Sequence, residues 1–203
     1  MQTTAQTSPL RDATGKQPYH HGDLRHALLV AAEAELAERG MEGFSLRSVA
    51  KRAGVSHAAP AHHFGDVQGL LTALATEAFR RFVSAMEARE AGLSDPRERA
   101  VAAGLGYLDF ALDRPTLFRL IFSSKKPDFG DAELHEAGNA AYDHLVGLVA
   151  ALGGSVSDIA ALWAMAHGIA DLAAGERLKM LDSMDDAART QMIRSLLLRV
   201  LPG

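Results

Sequence analysis

Ser56, His57, Ala58, Ala59, His62 and His63 stand just after a Gly54-Val55 turn, and Ser45 and Arg47 stand on the segment before it. A major-groove reader inserts the N-terminal part of the second helix of a bent pair, so these positions are expected to meet double-stranded DNA. Val67, at the start of the next helix, belongs with them. A second set lies further along: Tyr107, Tyr142, His144, Trp163 and His167 can supply the few polar groups of an otherwise apolar pocket for a small-molecule effector. Trp163 and His167 are one helical turn apart, and the alternative for His167 is a histidine hydrogen-bonded in the core or in a subunit interface. Metal binding by His144, His167 and Asp171 lacks a compact ligand spacing, so no metal is expected.

The elements that must hold the first set are legible. Leu46, Val49, Ala50 and Ala53 recur at helical spacing, which gives one apolar stripe and leaves Arg47, Lys51 and Arg52 on the solvent side. Ala50 is small where two helices must approach, Gly54 suits a left-handed helix end, and Ser56 is the expected N-cap of the second helix. Pro60 then falls in the first turn, where a missing N–H forfeits little. The alternative is an αα-hairpin inside a helical protein with no nucleic-acid role.

The rest of the chain predicts helices only. Residues 1–18 lack periodicity and read as a disordered tail. A first helix covers about residues 22–39 with Gly40 as its stop, and Gly65-Asp66 caps a long fourth helix reaching about Glu90. Ser94-Asp95-Pro96 opens a fifth, with Val101, Leu105, Leu108 and Leu112 inward, and Arg114-Pro115 separates it from a short sixth. A seventh spans about residues 131–152, an eighth is capped by Ser157, and a ninth covers about residues 185–201. The fold class is therefore all-α with about nine helices: a helix-turn-helix domain at 19–81 and an effector-binding and dimerisation domain at 82–203. Ala160, Ala164 and Gly168 make one face of the eighth helix nearly flat. Met192, Ile193, Leu196, Leu197 and Val200 form a stripe on the ninth. A second copy is the expected cover for both, in an isologous homodimer.

Composition narrows the classes. The 203 residues contain no cysteine, which excludes disulfides and thiolate metal sites. No apolar run reaches membrane-spanning length and the N-terminus has no signal-peptide layout, so a cytoplasmic protein with no membrane partner is expected. The formal net charge is −4, but residues 1–65 hold seven Lys/Arg and six Asp/Glu, leaving −5 on the remainder. Six of the nine histidines also lie in that first third, so the positive end is the N-terminal one. No glycine-rich phosphate loop and no Ser/His/Asp arrangement beyond chance is present, and neither an enzyme nor a cofactor is expected.

Tyr19-His-His-Gly-Asp-Leu-Arg25, Ser45-Leu-Arg-Ser-Val-Ala50, Gly54-Val-Ser-His-Ala-Ala-Pro60, His63-Phe64 and Asp66 resemble the N-terminal domain of the TetR family of bacterial transcriptional regulators. Pro115-Thr-Leu-Phe-Arg-Leu-Ile-Phe122 with Trp163, His167 and Gly168 resembles its branch with a C-terminal Trp-His-Gly signature. The resemblance implies a homodimer that represses genes from a palindromic operator until a small molecule, bound among the C-terminal helices, moves the fourth helix. It also exposes two departures. Ala61 stands where the family usually has Tyr, and Val67 where it usually has Lys, and both usual residues contact phosphate. The second function class follows from them: a helical dimer that binds a small molecule or protein and has weak or lost DNA binding.

Overall fold

The computed structural model describes residues 21–181 and 183–202, so the expected 1–18 tail lies outside the described residues. They form nine α-helices and one 3-10 turn, with no strand among them. α1 (His21–Gly43), α2 (Leu46–Ala53) and α3 (Ala59–Phe64) make the N-terminal unit. Gly40, at φ 65° and ψ −176°, interrupts α1 where a stop was expected, and one further turn follows it. α4 (Val67–Glu90) leaves that unit and runs into the C-terminal part, packing on α1 and α3 near its start and on α5 (Pro96–Asp113), α6 (Pro115–Phe122) and α7 (Ala132–Ala151) beyond. α8 (Val156–Ala174) and α9 (Asp186–Leu198) close the opposite side of α5, with the 3-10 turn Lys179–Leu181 between them.

Local chemistry sets most helix starts. The side chains of Ser45, Asp66, Asp95 and Asp185 each accept from the backbone N–H three residues on, and Asp131 accepts from those of Glu133 and Leu134. Two expected caps move. α8 begins earlier than Ser157, because Ser155 and Asp158 form a reciprocal capping box. α3 begins at Ala59 with Ala58 as its cap and not at Ser56. Pro60 has no N–H to give the Ser56 carbonyl, so Ser56 accepts from Ala59 at 3.0 Å in a tight turn, and the first α-type bond is His62 to Ala58 at 2.9 Å.

One buried cluster runs from Leu28 of α1 through Leu70 to Met86 of α4 and on to Leu201, so packing is continuous across the 81/82 position inside α4. Phe118, Leu117 and Leu74 are wholly buried, each contributing roughly 1.5–3 kcal/mol of transfer free energy. The α4–α5 approach is set by Gly106: a Cβ there would stand 2.4 Å from the Ala85 carbonyl oxygen and 2.7 Å from Met86 Cα. Leu112, expected inward, is exposed at the second-to-last residue of α5.

Ile193 and Leu197 also depart from expectation. They are 2% and 0% exposed, packed inside their own chain, and do not form a subunit surface. Leu197 fills the space beside Gly104 of α5, where a Cβ would meet its Cδ1 at 2.6 Å. Met192, Leu196 and Val200 are half-buried against the same core.

Polar ties join the N-terminal unit to the rest. Glu33 of α1 accepts from Arg81 of α4 at 2.8 Å and from Arg114, which precedes α6, at 2.6 Å. The 123–131 loop between α6 and α7 rests on the first turns of α4: Asp128 donates its N–H to Thr72 Oγ1 at 2.9 Å, and Gln68 Nε2 donates to the Lys126 carbonyl at 3.3 Å.

Candidate nucleic-acid interface and apolar cavity

α2 is a short helix whose ends are both satisfied: Ser48 N–H donates to Ser45 Oγ at 3.1 Å, and Gly54, at φ 68° and ψ 30°, returns its N–H to the Ala50 and Lys51 carbonyls. The left-handed Gly54 turns the chain so that α3 crosses α2, with Val49, Ala50 and Pro60 buried between them and their neighbours. The face left outward carries Arg47, Lys51, Ser56, His57, Ala58 and His62, all exposed, with Ser45, Ala59 and His63 half-buried at its margin. Ser45 Oγ is engaged with Ser48, so its hydroxyl serves the helix first. Val67 is 38% exposed at the first position of α4.

The cations of α2 divide into two groups. Arg47 and Lys51 make no ion pair among the described residues. Arg52, expected on the solvent side with them, turns back to α1: its Nε donates to buried Glu35 at 2.7 Å, and Glu38 takes the same guanidinium. The Arg52 hydrogen bond holds the Glu35 carboxyl below the ordinary glutamate range against the opposing effect of burial. Arg52 is thus a strut between α1 and α2. Arg25 plays a similar part for α3, its guanidinium lying 5.4 Å from the Phe64 ring centroid. Lys51, left out of the site assignment from sequence although the α2 periodicity placed it outward, stands exposed on the same face as Arg47.

A second feature lies between α4, α5, α7 and α8: a cavity of about 260 Å³. Phe79, Phe82 and Met86 of α4, Tyr107 of α5 and Phe122 of α6 form its inner wall. Tyr142 and Trp163 stand at its mouth, 47% and 45% exposed, with ring centroids 6.4 Å apart. No Asp, Glu, Lys or Arg lines it. The rings pack edge to face, Phe82 lying 4.7 Å from Tyr107 and 5.5 Å from Phe122 between centroids.

Four of the five residues expected for a pocket, Tyr107, Tyr142, His144 and Trp163, line this cavity. His167 sits behind the wall, its Nδ1 2.8 Å from the Tyr107 hydroxyl and its ring 5.5 Å from Phe118. Burial pushes the Tyr107 phenol far above its ordinary range, an effect the Trp163 hydrogen bond offsets only in part. The phenol therefore keeps its proton and remains hydrogen-bonded to the His167 ring. His144 is held from outside the cavity: its Nε2 lies 2.6 Å from Glu90 Oε1, and Arg99 donates to Glu90 Oε2 at 2.9 Å. The buried Glu90 and its partner Arg99 had no signal in the periodicity that would have joined them to His144.

Asp171, weighed with His144 and His167 as a metal ligand, is paired with Arg177 at 2.5 Å, so the three side chains point to three different partners. No group of three metal-ligating side chains occurs among the described residues.

On α8, Ala160 and Ala164 are exposed and Gly168 is half-buried with open space where a Cβ would stand. Val156, 79% exposed, and Leu172, also exposed, extend this apolar face in both directions. No single helix among the described residues is long and apolar enough to cross a membrane.

Residues 28–74 match the family described as bacterial regulatory proteins, tetR family, and residues 100–196 match the tetracyclin repressor-like C-terminal domain. The HTH-type transcriptional regulator BetI of Yersinia pestis (strain Pestoides F) is 38% identical over 97 residues, 47% of each protein. The chain thus spans about half the length of the curated relatives it matches. A solved structure of a protein of unknown function from Rhodococcus sp. RHA1 is 37% identical, with a TM-score of 0.77 over 93% of this chain and 100% of that one. A TetR-like transcriptional regulator from the same source shares the fold at 21% identity, with a TM-score of 0.65 over 89% of this chain and 97% of that one.

Proposed function

The chain belongs to the tetR family of bacterial regulatory proteins, and we propose that it is a ligand-responsive DNA-binding transcriptional regulator, a homodimeric repressor that a small molecule releases from a palindromic operator. The carrying observation is the outward face of α2 and α3, where Arg47, Lys51, Ser56, His57 and His62 stand exposed on a helix pair braced from behind by Arg52 and Glu35. Rigid positioning of a few donors is what base and phosphate contact requires.

In this reading residues 19–81 carry DNA binding, and 82–203 carry effector binding and dimerisation. The α8 face around Ala160, Ala164 and Gly168 meets its copy across a two-fold axis, joined by Val156 and Leu172, and sets two reading edges about 34 Å apart, one DNA turn. The effector occupies the apolar cavity. Trp163, His167 and Gly168 assign the C-terminal part to the Trp-His-Gly branch, a reading supported by the way Tyr107 links Trp163 at the mouth to His167 behind the wall. The protein acts in the cytoplasm and is not an enzyme.

The second reading, a ligand-binding dimer with weak or lost DNA binding, is favoured by exposed Ala61 and Val67, which present no donor where the family usually has two. Selection of genomic fragments by the purified protein at low and at physiological salt separates the two. Recovery of one shared palindrome at both salts supports the regulator. Retention at low salt alone, with no common sequence, supports the second reading.

A further inference from the structure

We infer that the effector of the α4–α5–α7–α8 cavity is an uncharged aromatic molecule bearing one hydrogen-bond donor, a phenol-type hydroxyl, which is accepted by Nδ1 of His144. The inference rests on the reading of this cavity as the effector site.

Charge is the first constraint. His144 and two tyrosines are the only titratable groups that line the cavity. Glu90, behind His144, has Oε1 engaged by the imidazole and Oε2 by Arg99, so its charge is already matched. A cation or an anion in the cavity would lose its hydration and find no counter-charge.

The direction of the hydrogen bond is the second constraint. A carboxylate only accepts, so the 2.6 Å contact puts the His144 proton on Nε2. In the singly protonated ring the other nitrogen, Nδ1, is then an acceptor, and no hydrogen bond to it occurs among the described residues. Tyr107 does not compete for it, since its hydroxyl is already hydrogen-bonded to His167. A ligand that donates one hydrogen bond completes His144, and a ligand that only accepts one leaves it unpaired.

Shape is the third. Phe79, Phe82, Phe122, Tyr142 and Trp163 surround the space from α4, α6, α7 and α8, so a flat ring gains edge-to-face contacts that an aliphatic chain of equal volume lacks.

The test uses equilibrium dialysis of the full chain against 2-naphthol, its near-isostere 2-methylnaphthalene, and 2-naphthoate. The expected result is about tenfold tighter binding of 2-naphthol than of 2-methylnaphthalene, with 2-naphthoate weakest. His144→Phe is expected to erase the preference while 2-methylnaphthalene still binds. Glu90→Gln, which no longer forces the proton onto Nε2, is expected to shrink the preference to within about threefold. Equal binding of the naphthol and its methyl analogue by the unmodified protein overturns the hydroxyl assignment and leaves the cavity as the effector site, a comparison that needs no variant to fold. Tightest binding of the naphthoate overturns it in favour of a charged ligand. Absence of binding by all three overturns both this inference and the effector-site reading.

Discussion

Two helix-interior glycines, Gly138 in the cavity wall and Gly106 at the α4–α5 contact, are expected to respond to alanine with opposite signs. Gly138, in α7, has Phe79 Cε2 and Cζ 3.8 Å from where a Cβ would stand, which is ordinary van der Waals contact. Replacing it with alanine gains the helix-propensity difference of about 0.8–1 kcal/mol and adds a methyl contact, so a gain of about 1 kcal/mol is expected. Gly106, in α5, offers the same propensity gain. Its new methyl, however, must displace the Ala85 carbonyl oxygen from 2.4 Å and Met86 Cα from 2.7 Å, and both are backbone atoms of α4 that no rotamer change can move. Prising apart two packed helices costs at least the roughly 1–3 kcal/mol typical of overpacking, and backbone on both sides puts this site at or beyond the upper end. A net loss of about 2 kcal/mol is expected. Urea unfolding of both variants at one fixed protein concentration measures the difference, since a dimer's midpoint moves with concentration. The two midpoints should separate by about 3 kcal/mol in stability. If Gly106→Ala is as stable as the parent, the close α4–α5 approach and the cavity geometry built on it are refuted.

The DNA-facing assignments carry a salt signature. Arg47→Ala and Lys51→Ala should each make the slope of log K against log salt shallower by about 0.9 without changing the preferred sequence, and Val67→Lys should steepen it by about the same amount; slopes that do not move would place these residues off the phosphates. On α8, Gly168→Arg should leave a folded monomer by circular dichroism but lower the sedimentation mass from dimer to monomer, whereas a variant still dimeric would remove that face from the interface. Leu197→Ala should instead cost roughly 2–5 kcal/mol of folding stability as a core truncation, read from the same urea transitions. For pH, Glu35 has a folded pKa below its unfolded value, so its stabilisation is full above the ordinary glutamate range and disappears as pH falls through the folded value. Glu35→Gln should therefore flatten the acid limb of thermal stability as pH falls through and below the ordinary glutamate range, and an unchanged limb would mean that the Arg52 bond does not persist in solution.

What the sequence made legible was mostly local. Asp66 and Asp95 announce helix starts because a cap and its N–H lie three residues apart, and Leu46, Val49 and Ala53 announce a buried face because periodicity is a property of one helix. The direction in which an apolar stripe is covered is not local. Ile193 and Leu197 have the pattern of a subunit surface, yet both are buried in their own chain, and Leu197 is claimed by Gly104, a residue far back in the chain whose missing side chain opens the space. Arg52 looks like a sister of Arg47 and Lys51 until Glu35 is brought up from the preceding helix. The cavity was half legible. Aromatic and histidine residues on amphipathic helices pointed to Tyr107, Tyr142, His144 and Trp163, but the pairing that fixes the His144 proton joins Glu90, Arg99 and His144 from three helices, and no spacing rule connects them. Ser56 failed as a cap for a reason that was visible, because Pro60 cannot donate the bond such a cap would precede.

The carboxylate of Glu33 makes α6 a lever with a pinned end. Arg114, at the start of that helix, shares Glu33 with Arg81, so one side chain of α1 fixes α4 and α6 at a common pivot. At the other end of α6, eight residues or about 12 Å away, Phe122 forms part of the cavity wall. Beyond Phe122 the chain runs directly into the 123–131 loop, which bears on Thr72 and Gln68 in the first turns of α4. The wall of the cavity and the first turns of α4 are in this way joined through one small helix and its following loop, each joint a charged or backbone hydrogen bond.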